Sequence, residues 1–304
     1  MKQLLIGIGV VIVCLTTLLS LDRFFFKNNK SFCLRLIYST LPFNPDWELP
    51  PLSAEEKQTV EKVLNQNFHY LNKGGQTFAF SSDDGKYVIK FCRFPSSLRP
   101  FSWTSSTFTK FKPSNVQMAK KSLAKLHNSF HSYKLAFQEL KEETGLLYVH
   151  LNPSHDLKKI ITIIDKLGAH YQIPLDHVTF ILQKKADLVY PALENYKINQ
   201  DKASTKQAIG HLVDLFIASA NKGIVDYDAI MHKNYGFIEN RAIHIDIGNF
   251  GKNEEIKEQK RAVAHVLEMT NSLKKRLEKF YPDFFPLYDE VIQEKLLPEN
   301  SKDL

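Results

Sequence analysis

Hydrophobic and polar residues alternate over short stretches in the first half of the chain, which is the pattern of half-buried β-strands. Three strands are predicted in "FHYLNKGGQTFAF" and "KYVIKFCRF", with a turn at Lys73-Gly74-Gly75 and a hairpin turn at Asp84-Gly85. Further strands are predicted in "LLYVHL" and in two or three pieces of "KIITIIDKLGAHYQIPLDHVTFILQKKADLV". The pattern therefore predicts that this half of the chain is built mainly from strands.

Helical spacing dominates the second half. The stretch "STKQAIGHLVDLFIASANKG" places Ile209, Leu212 and Phe216 on one stripe and ends at Gly223. Helices are also predicted over residues 253–279 and 284–297, with a short hairpin in "YGFIENRAIHI" before them. A helix that ends at a glycine and a hairpin followed by helices indicate a second, mainly helical unit.

Two helices are predicted within the strand-rich half. One begins at Ser53, because "SAEE" has the spacing of a capping box, and a long one covers residues 115–143. The order of elements predicts an α+β fold with two lobes. Residues 53–187 form the N-lobe, residues 188–304 form the helical C-lobe, and residues 23–52 are a proline-containing linker.

The front of the chain predicts a membrane anchor. Residues 3–22 are almost uninterrupted apolar residues over about one bilayer thickness, and no small-residue cleavage pattern follows them. Only Lys2 precedes this span, whereas Arg23, Lys27 and further basic residues follow it. The positive-inside rule then predicts a single-pass membrane protein, anchored through residues 1–22, with its bulk in the cytoplasm and with access to ATP.

Composition narrows the chemistry further. The net charge of +7 favours an anionic partner such as a nucleotide, a phosphate or a lipid surface. The lysines are scattered and no nucleic-acid-binding motif is present, so nucleic-acid binding is not predicted. The three cysteines are isolated and the eleven histidines show no HExxH pattern, which argues against a metal site made of Cys and His. Any metal is therefore expected to bind oxygen ligands.

Oxygen ligands occur together in "GIVDYDAIMHKNYGFIENRAIHIDIGNF", from Gly223 to Phe250. This stretch contains Asp226, Asp228, Asn234 and Asp246, and a glycine follows the last aspartate closely. An aspartate in a turn is more often a turn or capping residue than a ligand. The other motifs of the chain decide between these two interpretations.

Residues 66–250 resemble the protein-kinase-like superfamily, and several motifs occur in the order that this family requires. They are the turn Gly74-Gly75 between two strands, Lys90 in "YVIK", a glutamate on the long helix, Asp228 in "IVDYD", Asn234, and Asp246 in "IDIG". The resemblance implies a two-lobed protein-kinase-like fold. It also implies a nucleotide as partner, with ATP and Mg²⁺ bound between the lobes.

The resemblance implies a role for each residue. Gly74 and Gly75 would let backbone N–H groups approach the phosphates, and Lys90 would pair with the α- and β-phosphates. Glu139, or Glu142 as the next choice, would hold that lysine. Asn234 and Asp246 are the expected Mg²⁺ ligands, because Mg²⁺ prefers a few hard oxygen donors together with phosphate oxygens.

The catalytic aspartate is expected at Asp228, where a carboxylate would orient the attacking hydroxyl and accept its proton. Asp226 and Tyr227 replace the usual His and Arg of the family, and the loop from Asp228 to Asn234 is one residue longer than is common. Asp226 therefore stays open as the alternative base.

The substrate class is the least determined. The chain has no room after Gly248 for a long activation segment, which favours small-molecule and lipopolysaccharide-core kinases over Ser/Thr protein kinases. A hydroxyl acceptor is expected, and a membrane-associated glycolipid or a small molecule fits the predicted anchor. The alternative is a pseudokinase, a membrane-tethered binding or scaffold module that kept the fold and lost the chemistry.

Overall fold

The computed structural model describes residues 32–95, 98, 113–239 and 241–297, together with Val13, Thr16 and Thr17. The predicted anchor over residues 1–22 lies almost wholly outside this set. Among the residues that are described, no helix is long and apolar enough to cross a bilayer. What the structure describes is a mixed α+β protein with a curled sheet and a helical part, roughly in two lobes.

The elements follow one another with few long gaps. The strands are β1 (Phe68–Lys73), β2 (Thr77–Ser82), β3 (Tyr87–Cys92), β4 (Leu146–His150), β5 (Ile160–Ile164), β6 (His170–Pro174), β7 (Phe180–Lys184), β8 (Asp187–Leu188), β9 (Ile224–Asp226), β10 (Tyr235–Ile238), β11 (Arg241–His244) and β12 (Phe250–Lys252). The α-helices are α1 (Ala54–Leu64), α2 (Pro113–Glu139), α3 (Lys141–Thr144), α4 (Val189–Ile198), α5 (Lys202–Asn221), α6 (Met231–Asn234), α7 (Gln259–Phe280) and α8 (Phe285–Leu296).

The first seven strands form one sheet in the order β4-β7-β3-β2-β1-β5-β6. Neighbouring strands are antiparallel except for β1 and β5, which run parallel. The alternation read from the sequence is visible in β2, where Phe78 and Phe80 are fully buried and their neighbours are not. Because β3 lies between β2 and β7 in the sheet, a side chain on β3 has neighbours on both of these strands.

The helix ends show why the chain turns where it does. The capping box predicted at Ser53 is present, with the Ser53 side chain accepting from the Glu56 N–H and the Glu56 carboxylate accepting from the Ser53 N–H. The predicted helix over 115–143 is instead divided into α2 and α3, and α3 ends at Gly145, whose φ of 62° lies in the left-handed region. This glycine turns the chain directly into β4.

The segment before α1 packs onto the N-lobe. Phe32, Ile37 and Trp47 are buried, and the Trp47 ring contacts the Phe130 ring of α2 with centroids 4.9 Å apart. The Lys134 ammonium of α2 also donates to the Asp46 carbonyl at 2.8 Å. The described part of the predicted linker thus contributes to the core and contacts the long helix.

The C-lobe is built around α5. Leu212 and Phe216 on this helix are buried, and α5 packs against α7 and α8. Between the lobes lies a third apolar cluster, in which Phe130 of α2 and Leu140, the residue after α2, meet Ile247 and Phe250. The long helix of the first half therefore contacts the loop that carries Asp246.

Candidate active site

Lys90 lies on β3 at the junction of the lobes. Its ammonium donates to the Gln183 side-chain oxygen at 2.8 Å and to the Ile245 carbonyl at 2.5 Å. Burial lowers the pKa of Lys90 to about 8, while the nearby Asp246 carboxylate acts in the opposite direction. A strand lysine that reaches across to the residue before Asp246 joins the first half of the predicted site to the second.

Asp226 ends β9 and faces the interior. It is only 7% exposed, and its carboxylate accepts from the Tyr235 hydroxyl at 2.8 Å and from the Asp228 N–H at 3.0 Å. Burial raises the pKa of Asp226 to about 6 although both hydrogen bonds act to lower it. This aspartate is engaged with its own loop, and it fixes the backbone at Asp228.

Asp228 has the opposite surroundings, because its side chain is exposed to solvent. Its backbone carbonyl accepts a hydrogen bond from the Asn234 side-chain amide, which closes the loop between them. Within this loop, Met231 opens the single turn of α6 and is buried. Of the two aspartates, Asp228 is therefore the one that is accessible from solvent.

Asn234 and Asp246 are brought together through the backbone. The Ile245 N–H donates to the Asn234 carbonyl at 2.7 Å, so the residue before Asp246 lies against Asn234. Asp246 is exposed, and one of its oxygens accepts from the Gly248 N–H at 3.2 Å. The structure thus brings together Lys90, Asn234 and Asp246, with Asp228 on the same loop as Asn234.

The loop after Asp246 is held by a serine that the sequence interpretation missed. The Ser132 hydroxyl of α2 donates to the Ile247 carbonyl at 2.6 Å and accepts from the Phe250 N–H at 2.7 Å. Ser132 is fully buried, and a polar residue on the buried stripe of a helix is the sequence signal that could have identified it. Both of its bonds cross more than a hundred positions of sequence, which no local pattern reveals.

Glu139 is the predicted residue that the structure places elsewhere. Its carboxylate lies 3.6 Å from the Lys252 ammonium, and Lys90 bonds to Gln183 and Ile245 instead. Glu139 is the last residue of α2, nearly two turns beyond Ser132, so it lies beside β12 rather than beside β3. The second choice, Glu142, pairs with Arg241 at 2.6 Å on the surface. The expectation that a helix glutamate holds Lys90 is therefore corrected: the lysine is held by an amide and a carbonyl.

The glycine turn between β1 and β2 is held from behind by an arginine. One nitrogen of the Arg93 guanidinium donates to the carbonyls of Gly74 and Gly75 at 3.0 and 3.2 Å. A Cβ at Gly75 would meet no atom within 4 Å, so the space in front of this residue is open. With the carbonyls engaged by Arg93, the open side of the turn remains for a ligand.

A second glycine, Gly236 of β10, permits a close contact below the connection between the lobes. A Cβ there would lie 2.5 Å from the Asp187 carbonyl oxygen and 2.8 Å from the end of the Ile245 side chain. No side chain fits in that space. Only a glycine lets β10 pass directly under the segment that joins β7 to the C-lobe.

The donors present fit Mg²⁺ held jointly with phosphate. Within the described part of the chain, no group of three or more His, Cys, Asp or Glu residues could hold a metal by itself. Mg²⁺ does not need such a group, because it is commonly bound through one or two carboxylates plus substrate phosphates. Asp246 supplies an exposed carboxylate, and the Asn234 amide nitrogen is bonded to Asp228, which leaves the Asn234 oxygen as the second donor.

A cavity of about 550 Å³ lies away from these residues, between α5 and α8. Four of its charged residues form ion pairs: Lys295 bonds to Asp214 at 2.7 Å, and Lys206 bonds to Glu294 at 2.6 Å. None of the predicted site residues lines it. The cavity is a gap between two packed helices, and its chemistry is that of surface ion pairs.

Comparisons with known proteins give little that bears on function. No family model matches the chain, and no curated protein matches it. Among solved structures, WbdD in complex with the kinase inhibitor LY294002 is similar over 74% of this chain and 45% of its own, at 14% identity and a TM-score of 0.33. The bifunctional kinase-methyltransferase WbdD is similar over 75% and 45%, at 14% identity and a TM-score of 0.30.

A third solved structure, the Rv3197–erythromycin complex from Mycobacterium tuberculosis, is similar over 79% of this chain and 61% of its own, at 13% identity and a TM-score of 0.29. The chain spans about half the length of the WbdD structures and under two thirds of Rv3197. TM-scores of this size carry no functional information, so the residues of the site decide what can be proposed.

Proposed function

We propose that this chain is a phosphotransferase of the protein-kinase-like type, which transfers the γ-phosphoryl group of Mg·ATP to a hydroxyl acceptor. One observation supports the proposal above the others: the Lys90 ammonium reaches the carbonyl of Ile245, the residue that is bonded to Asn234 and that precedes Asp246. This contact supports the proposal because it brings a cation from the first half of the sequence to the backbone that carries Asn234 and Asp246. Phosphoryl transfer depends mainly on such positioning and on charge neutralisation.

Each residue then has one task. Lys90 contacts the phosphates of the nucleotide, and the open side of the Gly74-Gly75 turn lies against them. Asn234 and Asp246 hold Mg²⁺, which supplies neutralisation of the charge on the phosphate oxygens. The Asp246 carboxylate is exposed, the Lys90 ammonium has one N–H donor that is not used by Gln183 or Ile245, and the Asn234 side-chain oxygen is not used in the bond to Asp228.

Asp228 acts on the acceptor. Its exposed carboxylate orients the acceptor hydroxyl and takes its proton as the new O–P bond forms and the bond to the ADP leaving group breaks. Asp226 does not touch the acceptor in this proposal. Its carboxylate holds the Asp228 N–H and so positions the residue that does.

The acceptor is proposed from the predicted anchor alone. With residues 3–22 in a bilayer and the basic residues that follow at its cytoplasmic face, the catalytic part would operate next to the membrane. A membrane-associated glycolipid with a free hydroxyl is the acceptor class that fits this placement. A small soluble molecule is the alternative acceptor.

Nucleotide binding by the full chain in detergent tests the proposal. Mg·ATP should raise the melting temperature, since a ligand at 100 times its Kd adds about 2.7 kcal/mol of stability. ATP with a chelator should give a much smaller shift. Asp246→Ala should lose the Mg²⁺-dependent part, whereas Asp283→Ala, which removes another exposed aspartate in the C-lobe, should not. No shift in the unchanged chain, or the same shift in Asp246→Ala, contradicts the proposal.

A pseudokinase is the second candidate, and one observation favours it. Lys90 is held by neutral groups rather than by an acidic residue of α2, and Glu139 pairs with Lys252. A scaffold that binds nucleotide without turnover would need a lysine at the phosphates but no acidic residue to hold it. Slow release of phosphate from ATP, lost in Asp228→Asn but not in Asp283→Asn, separates the enzyme from the scaffold.

A further inference from the structure

Gln183 is a polar side chain in an otherwise apolar strand. It lies on β7 within "FILQK", and the strand is buried up to and including this residue. Gln183 itself is 1% exposed. Because an amide buried without partners costs free energy, a glutamine at this position needs an explanation.

The Gln183 side chain makes three hydrogen bonds, and two of them are to Lys90 and to the strand that precedes Asp246. Its oxygen accepts from the Lys90 ammonium at 2.8 Å, and its nitrogen donates to the His244 carbonyl at 2.9 Å and to the Thr144 carbonyl at 2.5 Å. Gln183 therefore links the lysine on β3 to the strand β11 and to the end of α3. His244 is two residues before Asp246, so one amide fixes both the cation and the strand that delivers the metal ligand.

The helix that could compete for this task offers no acid. The polar residues of α2 recorded at the Asp246 loop are Ser132, which bonds Ile247 and Phe250, and Tyr133, whose hydroxyl lies near Gly248. Glu139 is occupied by Lys252. The remaining donors and acceptors around Lys90 come from β7 and from the chain leading to Asp246.

We propose that Gln183 is the positioning residue of this site: its amide, rather than a helix carboxylate, holds Lys90 toward the phosphates of a bound nucleotide. This inference rests on the proposed nucleotide site and adds the residue that organises it. Since β3 and β7 are paired strands of one sheet, the lysine is in place without any movement of α2. Gln183 acts through Lys90 and touches neither the acceptor nor the metal.

Nucleotide affinity with and without phosphates tests this directly. Titration calorimetry on the full chain in detergent would compare adenosine, Mg·ADP and Mg·ATP for wild type and Gln183→Met, which keeps the size of the side chain and removes the amide. A hydrogen bond to a charged group corresponds to about 10-fold to 100-fold in affinity. Gln183→Met should therefore bind Mg·ADP and Mg·ATP about 10-fold or more weakly and bind adenosine as before.

A double-mutant cycle shows whether Gln183 acts through the lysine. In a Lys90→Met background, adding Gln183→Met should cause no further loss of Mg·ADP affinity. Gln172→Met provides the matched control, because Gln172 is an exposed glutamine on β6 of the same sheet whose amide bonds only to Thr162. This control should leave all three affinities unchanged.

The outcomes are distinct. If wild type binds neither Mg·ADP nor Mg·ATP, the proposed function fails first. If wild type binds them and Gln183→Met binds them equally well, or if the losses add in the double variant, the role of Gln183 is overturned while the nucleotide site stands. An equal loss of adenosine binding also overturns it. Should Gln183→Met not fold, Gln183→Asn keeps a buried amide, withdraws it from Lys90 by one methylene group, and carries the same expectations.

Discussion

Two clusters of polar residues in this molecule both consist of residue types that are common at active sites, but they differ in which functional groups remain exposed. The cleft cluster consists of Lys90, Asp228, Asn234 and Asp246. The loop cluster consists of His150, Ser154 and Asp176, which are the residue types of a hydrolytic triad. Only the first has functional groups that remain exposed.

In the loop cluster, each polar group is already bonded within the protein. The Ser154 hydroxyl donates to the Asp176 carboxylate at 2.5 Å, and the two His150 nitrogens lie 3.0 Å from the Ser154 hydroxyl and 2.9 Å from the Val178 carbonyl. A triad needs the carboxylate on the histidine and the serine free to attack. Here the Asp176 carboxylate accepts the hydrogen bond of the Ser154 hydroxyl instead, and it also accepts from the Leu157 and Lys158 N–H groups.

The loop cluster therefore stabilises a turn. Lys158 has a φ of 44°, an unfavourable left-handed conformation for a residue with a side chain, and the Asp176 carboxylate holds its N–H. In the cleft cluster, by contrast, Asp228 and Asp246 are exposed, and the Asp246 carboxylate accepts from the Gly248 N–H. The comparison teaches that residue types common at active sites are not sufficient: a cluster whose groups are already hydrogen-bonded within the protein is structural, and one whose groups remain exposed can act on a ligand.

The largest expected effect is that of Asp246→Ala on turnover. Loss of the proposed metal ligand would remove several kcal/mol of charge stabilisation, and about 5 kcal/mol corresponds to about four orders of magnitude in rate. The melting temperature without ligand should change little, because the exposed carboxylate bonds only to Gly248. Phosphate release from Mg·ATP and a thermal melt measure the two quantities, and a large drop in melting temperature would place Asp246 with the structural cluster.

Asp228→Asn should come next. Removal of a general base lowers turnover by about 10³-fold, within the usual range for such groups, whereas affinity for Mg·ATP should stay within about twofold. Steady-state rates and calorimetry separate these quantities. Asp283→Asn is the control, and an unchanged rate in Asp228→Asn would return the choice of base to Asp226.

Asp176→Ala should have the opposite effect: it should lower the stability of the fold and leave nucleotide binding unchanged. It leaves the partly buried Leu157 and Lys158 N–H groups without their acceptor, so a loss of about 1–3 kcal/mol in unfolding free energy is expected. Affinity for Mg·ATP should not change. Chemical denaturation and calorimetry are the measurements, and weakened nucleotide binding in a folded Asp176→Ala chain would break the distinction between the two clusters.

The smallest effect concerns pH. The pKa of Asp226 is raised from 3.8 to about 6 in the folded state, so ionisation of this group costs stability as the pH rises through about 6. Asp226→Asn removes that cost and should raise the unfolding free energy by about 1–3 kcal/mol at pH 8, with a smaller difference at pH 4. The asparagine oxygen can still accept from the Asp228 N–H. Denaturation curves at both pH values test the sign, and a larger gain at pH 4 would show it to be wrong.

Much of the fold was predictable because its signals are local. The alternation in β2, the capping box at Ser53 and the helical stripe of α5 each depend on residues within a few positions of one another. The break between α2 and α3 was missed because apolar spacing continues through Leu140, and Gly145 rather than the periodicity ends the helical stretch.

The site was predictable only in part, for a physical reason. Lys90 and Asp246 could be identified by motif order, but their partners are set by how elements pack. Which turn of α2 faces β3 depends on the position of the helix on the sheet, and this decided between Glu139 and no acid at all. Gln183 had a readable signal, a single amide in an apolar strand, but its partner Lys90 lies 93 positions away.

The Asp246 loop is fixed on both sides, and this has a consequence for inhibitors. Gln183 holds the His244 carbonyl before Asp246, and Ser132 holds the Ile247 carbonyl and the Phe250 N–H after it. A compound that binds only when this loop changes conformation must first break several buried hydrogen bonds. A compound that binds at the proposed nucleotide site without moving this loop has no such cost. Screens against this chain should therefore select compounds of the second kind.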